Sequence, residues 1–221
     1  MKEDKHGTVM CTVVPKKGAS YKMFVRAICD WMDSLGHEEL ILKCDNESSI
    51  TELQKEIQNC RKGKTTIPEC SPVGESSSNG LAETTVREVE AFIRTLKFWV
   101  EGKAGFRIDN NGPLMGWIVR HVGTVLSRIK VNTKTGLTPY ESLKGKTNSA
   151  PMVPFGESIM FRSLRQDPAD KRTQLDERFE EGIYLGILGK TGEAVMWGRM
   201  ALITPGVLEG GQSKSDGMQK S

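Results

Sequence analysis

Apolar and polar residues alternate along this chain with periods that change from segment to segment. From Tyr21 to Leu35 the apolar positions Tyr21, Phe24, Val25, Ile28, Trp31, Met32 and Leu35 fall three or four apart, which lines one face of an α-helix. Ser20 is placed to cap that helix and Gly36 to stop it. Before it, "TVMCTVVP" (Thr8 to Pro15) is rich in β-branched residues and closes on proline, which predicts a strand. After it, "ELILKC" (Glu39 to Cys44) is a short apolar run of the kind that forms a buried parallel strand. Ile50, Leu53 and Ile57 give "ESSITELQKEIQNC" one apolar helical face, and "KTTIPE" reads as a short strand.

A loop of Ser, Gly and Asn then runs into a helix predicted from Leu81 to Lys97, with Val86, Val89, Ile93 and Leu96 as its stripe. "NNGP" opens another helix with Pro113 at its first position. Leu114, Ile118, Val122, Val125 and Ile129 line its inner face, and Arg120, Arg128 and Lys130 fall away from it. Trp31, Trp117, Phe98 and Trp99 are read as packing residues. After "GLTPYESLKGK" the texture changes: "TNSAPMVP" is a linker, and "ESIMFR", "EGIYLGIL", "EAVMW" and "MALIT" are short strand-like pieces that suggest a small β-barrel or sheet. The tail from Gly206 to Ser221 is Gly/Ser/Lys-rich and expected to be disordered. The predicted division is a core over 1–145, a linker over 146–153, a β module over 154–205 and a tail over 206–221, with no internal repeat.

Composition narrows the class. The 221 residues are 37% hydrophobic and 27% charged, so a packed core is affordable. The net charge is only +3, but ten Lys/Arg against four Asp/Glu between Arg120 and Arg172 make a local +6, which would suit a polyanion or be an ordinary solvated surface. Five scattered cysteines without a CxxC argue against a zinc knuckle and suit a reducing compartment. His6, His37 and His121 have no partner at ligand spacing. Nothing approaches the ~18 apolar residues of a membrane span, and "MKEDKHGTVM" lacks a secretory core. An intracellular chain without a membrane partner is expected.

Two carboxylates stand out by position. Asp45 follows the predicted ELILKC strand, and strand carboxyl ends are where α/β sites form. Glu83 opens the next long helix, 38 residues on. Two such groups can share a divalent metal together with substrate phosphates. Ser76, Ser77, Ser78 and Asn79 offer short polar groups in the loop, and Gly74 and Gly80 allow close approach of a backbone. Arg87 and Arg94 lie four and eleven residues after Glu83, near the same helix face, where they could meet phosphates. The plainer reading is that acids favour first helical turns and that "DNE" is a turn before a helix.

"LILKCDNESSI" followed by "SPVGESSSNGLAETTVREVEAFIRTLK" resembles the catalytic core of retroviral-type integrases, especially those of copia-like retrotransposon polyproteins. The family shows an Asp after a core strand, then Ser-Asn-Gly and a Glu opening a long helix; Asp45, Ser78-Asn79-Gly80 and Glu83 match in order and spacing. "GLTPYESLKGK" resembles the segment after that core, and "VPFGESIMFR" and "RFEEGIYLGILGKTGE" look like the β module downstream. The resemblance implies an RNase H-like core, a mixed sheet with flanking helices, plus a small C-terminal β module. It implies polynucleotidyl transfer on DNA with Mg²⁺ or Mn²⁺, no small-molecule cofactor, and room for self-association and a nuclear location. Asp45 and Glu83 inherit metal-ligand roles; Asn79 and Gly80 shape the loop, and Arg87 and Arg94 face nucleic acid. The family uses a third carboxylate on the first strand of its sheet. Counting back from Asp45, that position falls before Met1, with Asp4 a poor substitute. The chain is therefore expected to lack the first strands and to be inactive alone. A non-catalytic nucleic-acid-binding module that uses the Arg120 to Arg172 region is the alternative, and an RNase H-like nuclease a third reading that the Thr-Pro-Tyr segment does not suit.

Overall fold

The computed structural model describes residues 1–71, 80–149, 153–162, 179–187 and 194–198. They form a mixed α/β structure of helices around two small sheets. The first half alternates helix and strand: α1 (Lys22–Ser34), β1 (Glu39–Cys44), α2 (Ser48–Cys60) and β2 (Thr65–Cys70). β1 and β2 pair in parallel, from Glu39 beside Thr65 to Cys44 beside Cys70. Val25, Ile28, Cys29 and Met32 of α1 meet Ile57 of α2 in one core, with Leu40 and Leu42 of β1 packed against it. Among the described residues only one sheet face is covered, and Ile41 and Ile67 are 62% and 50% exposed. β1 is thus parallel as expected but only half-buried, on the side of Leu40, Leu42 and Cys44. Buried Gln54 donates to the Leu42 carbonyl at 2.6 Å, which ties α2 to the covered face. α1 starts one residue later than Ser20 would dictate, with Tyr21 at the N-cap and no side-chain cap bond.

The expected strand over Thr8–Pro15 does not form. A strand needs a neighbour to take its backbone groups, and here Ser127 of the fourth helix takes some of them instead. Its hydroxyl accepts from the Val9 N–H at 2.9 Å and donates to the Val9 carbonyl at 3.1 Å. Val9 has a single isolated bridge, to Lys2.

α3 (Gly80–Ala104) runs 25 residues and outlasts the predicted end at Lys97, because Val100 is buried one turn further on. Its inner face is Thr85, Ile93, Leu96 and Val100 rather than one that includes Val86, which is 56% exposed. Phe98 and Trp99 are also exposed, contrary to their reading as packing residues; the Lys103 ammonium lies over the Trp99 ring at 5.2 Å. α4 (Pro113–Arg128) begins with its proline in the first turn and buries Ile118, His121, Val122 and Leu126, whereas Ile129 is exposed. Gly123 lets the chain at Cys11 come close: a Cβ there would sit 3.1 Å from the Cys11 nitrogen. α5 (Pro139–Lys144) carries a full capping box, Glu141 N–H to Thr138 Oγ1 at 3.1 Å and Thr138 N–H to Glu141 Oε2 at 2.8 Å.

β3 (Ser158–Arg162), β4 (Phe179–Ile187) and β5 (Ala194–Gly198) form an antiparallel sheet in that order. They correspond to three of the four strand-like pieces; "MALIT" lies outside the described residues. Leu185 of β4 and Phe155 just before β3 share a core with Val100, Ile108 and Ile118, so this sheet packs against α3 and α4.

Candidate functional site

β1 ends at Cys44, and Asp45 is the next residue, exposed to solvent. The parallel register brings β2 to its end at Cys70 beside Cys44, and the Ser71 N–H donates to the Cys44 carbonyl at 3.0 Å. The chain therefore leaves β2 next to Asp45. Burial raises the Cys44 thiol to about 11, with neighbouring Cys70 and then Asp45 adding to the shift, so without a metal Cys44 is a thiol at neutral pH.

Gly80 is the first residue of α3, and Glu83 lies exposed in its first turn, where the helix dipole favours a carboxylate. Glu83 and Arg87 form an i,i+4 ion pair at 4.0 Å, and Arg94 pairs with Glu90 at 3.7 Å. Both guanidinium side chains stay open, at 74% and 70% exposure, so α3 carries Glu83, Arg87 and Arg94 on its outward side. Asn79, Ser76, Ser77, Ser78 and Gly74 lie outside the described residues. Asp4 sits in an exposed turn. The donor chemistry at Asp45 and Glu83 fits a hard divalent cation: both offer carboxylate oxygens in open positions.

The basic stretch is partly occupied by the protein itself. Arg128 stacks over Tyr140 at 5.2 Å, Lys130 pairs with Glu88, and Lys144 donates to the Ser34 carbonyl at 2.7 Å. A cleft of about 290 Å³ bounded by Lys2, His6, Val9, Glu88, Leu126 and Lys130 includes neither Asp45 nor Glu83. No described helix is long and apolar enough to cross a membrane.

The histidines are not isolated. His6 and His37 stack at 6.1 Å between ring centroids, with Glu3 beside them. His121 is buried between Phe155 and Tyr184, ring centroids 5.4 and 6.2 Å away. Gly186, at φ 128, permits this approach: a Cβ there would lie 3.4 Å from His121 Nδ1. No sequence spacing announces either grouping.

No family model matches the chain, nor does any curated protein. Among solved structures it is similar to a chain of the simian T-cell lymphotropic virus intasome in complex with PP2A regulatory subunit B56 gamma. The identity is 13%, over 89% of this chain and 68% of that one, with a TM-score of 0.47. A likeness that weak carries no argument about what this chain does.

Proposed function

We propose that this chain is an integrase-like polynucleotidyl transferase core of the retrotransposon type, with Asp45 and Glu83 as its divalent-metal ligands and DNA as its partner. The RNase H-like reading takes β1 and β2 as the inner part of a larger mixed sheet, and 154–205 as an appended β module. The observation that carries the proposal is the exit of β2: Ser71 hydrogen-bonds to Cys44, next to Asp45, and only eight residues separate Ser71 from Gly80 at the start of α3. Such a tether spans at most about 30 Å when fully extended, a reach that permits Glu83 to lie beside Asp45. Bound Mg²⁺ or Mn²⁺ would activate an attacking oxygen and stabilise the leaving one at a phosphodiester. The chain's own part is to hold that cation through Asp45 and Glu83, and to meet backbone phosphates with Arg87 and Arg94. Self-association and a nuclear site of action belong to the same reading.

The test is binding of a short DNA end, measured with and without Mg²⁺. Tightening by Mg²⁺ that is lost in both Asp45→Asn and Glu83→Gln supports shared coordination. Mg²⁺-independent binding that both variants retain overturns it. The exposed guanidinium groups on α3 favour the second reading, a non-catalytic nucleic-acid-binding module. Its signature is affinity that falls steeply with salt and drops in Arg87→Ala and Arg94→Ala alone.

A further inference from the structure

A second cluster of donors lies apart from Asp45 and Glu83. Glu3, His6 and His37 each present one ligand atom, and the three atoms lie within 4.8 Å of one another. His37 Nε2 lies 3.5 Å from Glu3 Oε1. A tetrahedral zinc site with bonds of about 2.0–2.2 Å has ligand atoms roughly 3.3–3.6 Å apart, so that edge is already at coordination distance, and the third donor lies within 4.8 Å of both. All three residues are half-buried.

The outer contacts leave the correct atoms available. Glu3 Oε2 accepts from the His6 and Gly7 backbone N–H groups at 2.9 and 3.1 Å, and Oε1, which faces His37, shares the His6 N–H at 3.1 Å and keeps a further lone pair. His6 Nδ1 lies 2.9 Å from Ser142 Oγ of α5, which leaves Nε2 as the nitrogen for a ligand. The His37 carbonyl accepts from Arg61 at 3.2 Å. Arg61 has no exposed side-chain surface, and it is fixed by Asp33 at 3.2 Å and Thr66 at 2.6 Å. Partners that orient the ligands from behind are what a metal site requires.

We infer that Glu3, His6 and His37 form a transition-metal site, with zinc as its natural ion and a fourth position open to water or a further ligand. Two imidazoles and one carboxylate select zinc, cobalt or nickel over magnesium or calcium. The ion would join the segment before α1, the turn after α1 and, through Ser142, α5. This inference is independent of the polynucleotidyl-transfer reading, since it shares no residue with it.

The test is titration of the metal-stripped chain with Co²⁺, followed by its visible absorption, with Zn²⁺ as competitor. Expected are one equivalent of tetrahedral Co²⁺, displacement by Zn²⁺ but not by excess Mg²⁺, and no thiolate charge-transfer band. His6→Ala and His37→Ala should abolish the signal, and Ser142→Ala should weaken binding about 10-fold or more. The Ser142 variant keeps all three ligands and so serves even if a histidine variant fails to fold. Absence of saturable Co²⁺ binding, a thiolate-type spectrum, or binding unchanged in His37→Ala and Ser142→Ala overturns the site.

Discussion

In the α1–β1–α2–β2 half, buried side chains find partners about one βα unit away: the Cys29 thiol lies against the Ile57 carbonyl, and Arg61 reaches Asp33, each 28 positions distant. Around α4 the partners are remote. Val9 and Ser127 are 118 positions apart, and Phe155 and Leu185 join Ile118 in one core. The two regions also differ in polarity. The first closes on a buried guanidinium with bonds to Asp33, Thr66 and the His37 carbonyl. The second encloses His121 Nδ1 and the Tyr184 hydroxyl without a hydrogen-bond partner among the described residues. The local unit meets its buried guanidinium with nearby partners, whereas the joint between distant segments relies on apolar area, and an unsatisfied buried polar group there carries a cost.

The largest effect that would break this contrast is at the apolar joint. Phe155 is 1% exposed, and Phe155→Ala should cost about 3–5 kcal/mol. Hydrogen exchange should then show protection lost first in α4 and β4, with α1 and α2 retained; equal loss in both halves would mean that the chain unfolds as one unit. Arg61→Ala removes the polar closure of the other half. Because Asp33 is 45% exposed at its side chain, water can recover that partner. We expect about 1.5–3 kcal/mol, read by urea denaturation, with protection lost around β2 and the turn at His37.

A smaller effect follows from His121. Burial lowers its pKa below that of an exposed histidine, and its packed neighbours Phe155 and Tyr184 offer no charge to offset a proton. The unfolded chain therefore binds a proton more readily than the folded one. Stability conferred by the neutral ring is fully present above about pH 6.5, the unfolded value, and is lost as the pH falls through the lower folded value. Melting temperature should drop on acidification from about pH 6.5, and His121→Leu should flatten the part of that drop due to this ring. The smallest change is expected at the candidate catalytic acids. Glu83 is 56% exposed and its pair with Arg87 spans 4.0 Å, so Glu83→Gln should alter stability by about 0.5 kcal/mol or less. Asp45→Asn should do the same. Any loss of Mg²⁺-dependent DNA binding in these variants then reports on function and not on folding.

Much of the local order was legible. The period of α1 and α2 and the proline opening α4 depend on contacts within one or two turns, so the residues announce them. Thr138-Pro139-Tyr140-Glu141 also carries a capping-box signature, which could have revealed α5. Val86 was misread because one helical stripe can be drawn through either Val86 or Thr85, and only the tertiary packing buries the latter. The segment Thr8–Pro15 was misread because β-branched content says nothing about whether a partner strand is present.

By itself the sequence determined where Asp45 and Glu83 stand: one directly after an apolar run and one in a first helical turn, both properties of short-range periodicity. The tertiary structure alone decided that His6 lies beside His37 and reaches Ser142, 136 positions away, and that His121 is enclosed. Those encounters are set by loop closure and by which faces pack, and they leave no mark on spacing along the chain.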